Sequence, residues 1–354
     1  PLIAALFCHK YFVETHHGLR PVLRILRSVA GLGVKRQMCV LGANHLDFVD
    51  QSDQFSTRGI VGMKKLIIEA RINEYQSREA NPHVPWLPGE IARDAEACQA
   101  EGASIIHFHG RHADGSPDHD FLTYEKTIRA IRSQSNTMIN PTLGYVTLDA
   151  DAEERLSNVV ALSKDPETRP EFAPMDMGSV NVDWYNPEEP GYRTKGLIYK
   201  NGTDTLEYFA QNIAAHQMKH YLVCWNVSFI RQTLAFMDMG LLTGPLPFLI
   251  VLTDGTMLAG HPGTEAGLDA HLAFIPPDRQ LEWIVSNFNG NLFQLTEKVI
   301  REGGHIAIGL GDYPYTELGQ PSNADLVRKV REQAETLGRE VATVDEAKEM
   351  LGVG

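Results

Sequence analysis

The chain has 354 residues, and its 45 Asp and Glu outnumber its 32 Lys and Arg, which gives a net charge of −13. This acidic balance argues against binding to a nucleic-acid backbone, and no apolar run is long enough to span a membrane. The four cysteines are scattered without a C-x-x-C pair, so we expect neither a disulfide framework nor a cysteine zinc knuckle, but a protein of the reducing cytoplasm.

The first 62 residues differ from the rest because basic residues outnumber acidic ones there and apolar periodicity is weak. Met63 is followed at once by a strand-like run, Leu66 to Glu69. We therefore predict a poorly defined N-terminal extension over 1–62 and a catalytic domain over 63–354. The extension reads as a loosely attached segment, an over-long gene prediction or a presequence.

From Lys65 onward, predicted strands and helices alternate with short connections, which is typical of a parallel sheet covered by helices. The predicted strands are 65–72, 104–109, 137–141, 172–177, 221–226, 248–252, 281–287 and 305–310. The predicted helices are 88–100, 121–133, 149–162, 205–217, 229–239, 292–301 and 323–337. The Gly-rich stretch 253–277 receives no element. Without a G-x-G-x-x-G after the first strand, this α/β pattern predicts a (β/α)8 TIM barrel rather than a doubly wound sheet.

Two histidines end the second predicted strand. His107 and His109 are two residues apart, so both imidazoles project from one face of the strand and can bind one metal ion. For an isolated H-x-H, two packed core histidines are the competing interpretation. Active sites of such barrels lie where the strands end, and this position favours the metal interpretation.

At this point the chain resembles a known family, the β-keto acid cleavage enzymes, from about Met63 to Leu351. The motifs that carry the resemblance are His107-x-His109-x-Arg111, Asp114-Gly115-x-Pro117, Pro141-Thr142-x-Gly144, Gly303-Gly304-His305, Gly309-x-x-Asp312, Ser322-Asn323-Ala324 and Gly338 to Thr343. The resemblance implies zinc or another divalent metal, with a β-keto acid and acetyl-CoA as substrates. The implied products are acetoacetate and a new CoA thioester. We also expect a homo-oligomer, dimer or tetramer.

The last predicted strand departs from the family, in which it carries Arg-x-x-x-Glu-Asp with the Glu as metal ligand and the Asp as catalytic group. This chain keeps Asp312 but has Ala307 and Gly311 at the Arg and Glu positions. The first strand, its expected neighbour in a closed barrel, carries Glu69 and Arg71 on one face. We expect Glu69 or Asp312 to complete the metal shell and Arg71 to take over anion binding. The alternative is a buried Glu69–Arg71 ion pair.

The remaining site predictions follow the strand ends and the resemblance. We assign catalytic roles to Asp312, Arg71 and Glu74, and metal ligation to His107, His109 and Glu69. We assign substrate binding to Arg111, Thr142, Asp176 and Asn73. Arg111 could instead pair with Asp114, and Thr142 could instead cap the next helix. The alternatives to β-keto acid cleavage are another metal-assisted reaction, such as aldolase-type cleavage or hydrolysis, and a degenerate barrel that binds a ligand without turnover.

Overall fold

A computed structural model describes residues 62–143 and 150–354. Eight parallel strands form one sheet in the order β3-β2-β1-β8-β7-β6-β5-β4. They are β1 (Ile68–Arg71), β2 (Ile105–Phe108), β3 (Met138–Pro141), β4 (Phe172–Asp176), β5 (Lys219–Cys224), β6 (Leu246–Thr253), β7 (Leu281–Phe288) and β8 (His305–Ile308). The end strands β3 and β4 lie against each other without a hydrogen-bonded ladder. The sheet is thus a nearly closed barrel, which confirms the predicted fold.

Helices follow the strands and cover the barrel. They are α1 (Pro88–Ala100), α2 (Phe121–Arg132), α3 (Ala152–Leu162), α4 (Thr203–Ala215), α5 (Val227–Asp238), α6 (Glu265–Leu272), α7 (Phe293–Arg301), α8 (Asn323–Thr336) and α9 (Val344–Leu351). Two were not predicted. Helix α6 is short and Gly-containing, and α9 follows the last barrel unit, where Thr343 and Glu346 form a capping box. None of the described helices is long and apolar enough to cross a bilayer.

An insertion between β4 and α4 contains two short antiparallel ladders. Val180–Asn181 pairs with Ile198–Tyr199, and Tyr185–Asn186 pairs with Gly191–Tyr192. Strands of two residues carry no hydrophobic period, so nothing in the sequence predicted them. The insertion brings Tyr199 to the carboxyl end of β4, beside Asp176.

The barrel interior changes from apolar to polar along its axis. Its apolar part includes Ile67, Ile105, Met138, Phe172, Tyr221, Val223, Leu249, Val251, Ile284 and Ala307. Because alternate strand residues face inward, Ile67 is followed on β1 by Glu69 and then Arg71, and Ile105 is followed on β2 by His107, near the carboxyl ends. As predicted, β8 pairs with β1, with Glu69 opposite Ala307. This seam between the first and last strands holds the charged residues of the site.

Some predictions lie outside the described residues. They are the extension over 1–62, apart from Gly62, and the helix start and loop within 144–149. The described cysteines, Cys98 and Cys224, are buried free thiols.

Candidate metal centre at the barrel mouth

His107 and His109 stand side by side at the end of β2, with ring centroids 5.2 Å apart and both rings buried. His107 Nδ1 lies 2.8 Å from the Asn140 carbonyl oxygen, so it carries the proton and leaves Nε2 free as an acceptor or metal ligand. Burial lowers the pKa of His109 to about 4, against the opposing charge of Glu74, and keeps this imidazole neutral at pH 7. Neutral imidazole is the form that binds a metal, so His109 is in a suitable protonation state.

Glu74 completes a cluster with the two histidines. Its Oε1 lies 3.1 Å from His107 Nε2 and its Oε2 2.7 Å from His109 Nε2. Burial alone would raise the pKa of Glu74, but the Arg71 guanidinium, and after it the neighbouring His109 and His107, hold this pKa well below its usual range. The carboxylate is ionised and, like the two imidazoles, buried.

The backbone at Glu74 is held in an uncommon conformation. Its φ is +36°, in the left-handed region that non-glycine residues seldom adopt. Arg111 donates to the Glu74 carbonyl oxygen at 2.5 Å and fixes this turn. Strain of this kind costs energy and clusters at functional sites, so it supports a role for the Glu74 carboxylate.

The three side chains fit a divalent ion. Their ligand atoms lie within 4.8 Å of one another. Two histidines and one glutamate are a common ligand set of catalytic zinc, and bonds of about 2.1 Å in tetrahedral geometry separate ligand atoms by about 3.4 Å. The observed Nε2–Oε distances of 3.1 and 2.7 Å reach that value after small outward movements.

Glu69, which was predicted as a ligand, is absent from this cluster of Glu74, His107 and His109. It is fully buried, and its carboxylate accepts hydrogen bonds from the Tyr221 hydroxyl and, at 3.1 Å, from Asn140 Nδ2. These neutral donors hold the Glu69 carboxylate in place. Glu69 stands two residues before Arg71 on β1 and therefore lies deeper in the barrel than the cluster. The geometry therefore does not support a ligand role for Glu69. The described residues also contain no Glu69–Arg71 ion pair.

Gly311 explains how Glu74 reaches the histidines. A Cβ at position 311 would lie 2.6 Å from Glu74 Cγ and 2.9 Å from the backbone nitrogen of Glu74. Such distances are too short for any side chain. The position where the family resemblance places a glutamate is therefore empty in this chain, and a carboxylate from the end of β1 fills the space.

Arg71 links this carboxylate to Asp312 across the β1–β8 seam. Its Nε lies 3.0 Å from Asp312 Oδ1, and its Nη2 donates to Glu74. Burial, together with the charge of Glu74, raises the pKa of Asp312 to about 6 although Arg71 opposes the rise. A carboxyl group with a pKa in this range can take up and release a proton near neutral pH.

Two residues predicted to bind substrate, Asn73 and Arg111, make hydrogen bonds to the backbone around the cluster. Asn73 is fully buried; its Oδ1 accepts from His109 N at 2.8 Å, and its Nδ2 donates to the carbonyl oxygens of His109 and Pro85. Arg111 donates to the carbonyl oxygens of Glu74, Gln76 and Gly115. The described residues show no ion pair between Arg111 and Asp114.

Thr142 and Asp176 lie at neighbouring strand ends. Thr142 is buried beyond β3, and its backbone N–H donates to the Phe108 carbonyl oxygen. It does not cap α3, because Asp151 does. Asp176 ends β4 and accepts hydrogen bonds from Trp225 Nε1 at 2.6 Å and the Tyr199 hydroxyl at 2.8 Å.

Four aromatic residues of this region were not predicted. Tyr75 packs edge-on against His109 with centroids 4.6 Å apart, Tyr221 binds Glu69, and Tyr199 and Trp225 bind Asp176. The alternation of Tyr221 and Trp225 with outward residues was a usable signal for an inward face. Tyr199 comes from the insertion and had no comparable signal.

Comparison with known proteins gives one consistent picture. A family model described as beta-keto acid cleavage enzyme matches residues 65–353. The 3-keto-5-aminohexanoate cleavage enzyme of Fusobacterium nucleatum is 31% identical over 298 residues, which cover 82% of this chain and 99% of that protein. The 3,5-dioxohexanoate:acetyl-CoA acetone transferase of Paraburkholderia graminis is 26% identical and covers 81% of this chain and 95% of that protein.

A solved structure supports the fold. The apo structure of ObcA superposes with a TM-score of 0.62 at 14% identity, covering 77% of this chain and 66% of that one, so the chain spans just under two thirds of its length. At this identity the likeness concerns the barrel alone.

Proposed function

The chain belongs to the β-keto acid cleavage enzyme family, and from this membership we propose that it transfers the acyl group of a β-keto acid to CoA, with acetyl-CoA as co-substrate. The observation that carries the proposal is the buried cluster of Glu74, His107 and His109, with Arg71 and Asp312 beside it, at the mouth of the barrel. Relatives named as acetyl-CoA-dependent transferases support the co-substrate.

The proposed reaction exchanges two acyl groups between carbon and sulfur. C2 of the β-keto acid loses a proton and forms a bond to the acetyl carbonyl carbon, and the CoA thiolate leaves. The thiolate then bonds to C3, the C2–C3 bond breaks, and C2 regains a proton. The products are acetoacetate and the acyl-CoA of the remaining fragment, so atoms and charges balance without another reactant.

We propose that Glu74, His107 and His109 hold a divalent ion, zinc being the ion that this ligand set suits best. Such an ion supplies Lewis acidity for a keto group and a carboxylate. Asn73 holds His109, the Asn140 carbonyl fixes the tautomer of His107, and Arg111 holds the turn at Glu74. These contacts hold the proposed ligand atoms close to one another.

Asp312 is the group we assign to proton transfer at C2. Its raised pKa suits it to accept a proton from carbon and to return it after cleavage. Arg71 keeps the Asp312 carboxylate oriented through its Nε and offers positive charge to the substrate carboxylate. Thr142, buried at the neighbouring strand end, is proposed as a substrate contact.

The test combines elemental analysis of the purified protein with a panel of β-keto acids in the presence of acetyl-CoA. We expect close to one metal ion per chain and acetoacetate formation that depends on both substrates. Cleavage without acetyl-CoA would instead indicate an aldolase-type or hydrolytic reaction. Stoichiometric metal without turnover of any acid would indicate a ligand-binding barrel.

We also propose that the enzyme is a cytoplasmic homo-oligomer. The two described cysteines are buried free thiols, which is consistent with a reducing compartment. Size-exclusion chromatography with light scattering measures the number of subunits.

A further inference from the structure

A cavity of about 510 Å³ opens at the end of the barrel opposite the metal cluster. It lies where β4 and β5 begin, at Phe172 and Lys219, whereas the cluster lies where β1 and β2 end. The 6 residues of β5 separate the two ends of the barrel by about 17 Å, at about 3.3 Å per residue. Small-molecule sites have volumes of about 300–1,000 Å³, so this cavity is large enough to be one, and it is separate from the proposed active site.

Three cations line the cavity. They are Arg132 at the end of α2, Arg169 in the loop before β4, and Lys219, the first residue of β5. Among the lining residues that the structure describes, Glu171 is the one acidic side chain. The lining therefore has an excess of positive charge, although the whole chain has a net charge of −13. A local charge of this sign favours the binding of an anion.

Glu171 neutralises Arg132. Arg132 Nη2 donates to Glu171 Oε1 at 3.1 Å and to Glu171 Oε2 at 3.3 Å. Glu171 Oε2 also accepts from the backbone N–H of Ile139, on β3, at 2.8 Å. This carboxylate therefore connects the start of β4 to β3, where the sheet has no hydrogen-bonded ladder. Its contacts leave the other two cations of the cavity without a carboxylate.

Arg169 is held in place by neutral acceptors. Its Nε donates to the carbonyl oxygen of Ser163, and its Nη1 donates to Gln217 Oε1, both at 3.0 Å. These contacts fix the guanidinium at the cavity but do not balance its charge. Among the described lining residues, the ion pair is the one between Arg132 and Glu171, and Arg169 has none.

The ammonium group of Lys219 is half-buried between two backbone turns. A Cβ on Gly244 or on Gly352 would lie 3.4 Å from Lys219 Nζ, so the backbone encloses this group closely. Burial lowers the pKa of Lys219, because no acidic neighbour in the described part of the chain opposes the effect. Arg169 and Lys219 thus bring two positive charges to one cavity without a counter-ion.

Two unbalanced cations match one doubly negative group. A phosphate monoester carries a charge of about −1.5 to −2 at pH 7 and has three acceptor oxygens. A guanidinium and an ammonium group are the side chains that proteins use to bind such oxygens. Pro170, Met218 and Val353 give the same cavity an apolar part, which suits the organic portion of an ester.

We propose that this cavity binds a small phosphate monoester, whose phosphate group contacts Arg169 and Lys219. The bound molecule is not a substrate of the proposed reaction, because the cavity lies at the opposite end of the barrel from Glu74, His107 and His109. The inference is therefore independent of the proposed function. Binding stabilises the folded chain, as any ligand specific for the folded state does.

The experiment is a calorimetric titration of the full chain with glycerol 3-phosphate, inorganic phosphate and malonate at constant ionic strength. We expect glycerol 3-phosphate to bind most tightly and to raise the melting temperature. Lys219→Gln should weaken its binding by about 10- to 100-fold, because one charged hydrogen bond is lost. Lys164→Gln, which changes an exposed lysine outside the cavity, is the matched control and should leave the Kd unchanged.

Each contrary outcome has a distinct meaning. A wild-type chain that binds none of the three anions overturns the inference, and this comparison does not require a variant to fold. Tighter binding of malonate or of inorganic phosphate than of glycerol 3-phosphate overturns the assignment to a phosphate monoester. An unchanged Kd in Lys219→Gln places the anion at another site and also overturns the inference. The titration involves no turnover, so a failure of the proposed function does not affect its result.

Discussion

The side chain of Glu74 occupies the space that a side chain at Gly311 would need. The hypothetical Cβ of residue 311 and the Cγ of Glu74 would be 2.6 Å apart, so the two positions cannot both carry a side chain in this backbone. In the family pattern the glutamate stands on the last strand, whereas here the carboxylate comes from the end of the first. The proposed metal site therefore takes its carboxylate donor from a different strand.

Glu74→Gln should remove most of the bound metal. A neutral amide is a much weaker metal ligand than a carboxylate. Substitution of a residue that only orients a ligand lowers metal affinity by about 10- to 100-fold, and we expect a larger loss when a direct ligand is removed. Zinc per chain by elemental analysis and competition with a chelator measure the effect. Glu79→Gln, an exposed residue five positions later, is the control and should keep its metal. Full occupancy in Glu74→Gln would refute the ligand role.

Glu69→Gln should retain its metal, in contrast to Glu74→Gln. Glu69 is bound by Tyr221 and Asn140 and stands apart from the cluster of ligand atoms. The same elemental analysis gives the answer. Loss of zinc from this variant at unchanged melting temperature would show that the ion lies deeper in the barrel than the described cluster.

Gly311→Ala should displace Glu74 and weaken both metal binding and folding. The added methyl group would meet Glu74 and the Arg71 carbonyl oxygen at less than 3 Å, and overpacking of this kind costs about 1–3 kcal/mol. Thermal unfolding with and without added zinc measures both effects. Gly89→Ala, where a Cβ would meet only Arg93 at 3.7 Å, is the matched control. Wild-type metal binding and melting temperature in Gly311→Ala would contradict the steric conflict between residue 311 and Glu74.

Asn73→Ala should lower metal affinity and stability together. The change leaves the backbone N–H of His109 and two carbonyl oxygens without their buried partner, at a cost of about 1–3 kcal/mol. We expect about 10- to 100-fold weaker zinc binding, as for other residues that orient a ligand. Zinc titration and urea unfolding test this. A higher KM with normal zinc affinity and stability would instead restore the substrate-binding role.

Asp94 should make the enzyme less stable as the pH rises toward neutrality. Burial raises the pKa of Asp94 to about 7, while a hydrogen bond from Asn323 opposes the rise. Between the ordinary pKa near 4 and this value the folded state binds more protons than the unfolded state, so stability is greatest below about pH 4 for this group and falls until about pH 7. Asp94→Asn should remove this pH dependence and raise the free energy of unfolding at pH 8 by on the order of 1–2 kcal/mol, after allowance for partial exposure. Urea unfolding at pH 5 and pH 8 measures it; equal slopes in both proteins would contradict the assignment.

The barrel, the β1–β8 pairing and the adjacent histidines followed from strand periodicity and chain order, because these depend on local patterns. The position of Glu74 did not, since it depends on a left-handed turn after β1 and on the space left by Gly311, 237 residues later in the numbering. Glu69 looked like a ligand because it shares the inward face with Arg71. The strand periodicity does not tell how deep along the barrel axis each inward residue lies. Glu69 lies deeper than the cluster, where it contacts Tyr221 and not the histidines.

The separation of Arg71 and Asp312 by 241 positions has a consequence for assembly. Glu74, His107 and His109 come from one short early stretch of the chain, whereas Asp312 arrives only when the last strand closes the ring. During synthesis the ligand donors are complete long before the proton-transfer group exists. The three proposed ligand residues are therefore synthesised long before Asp312, and a chain that lacks the last strand would carry the proposed ligands without the proposed proton-transfer group.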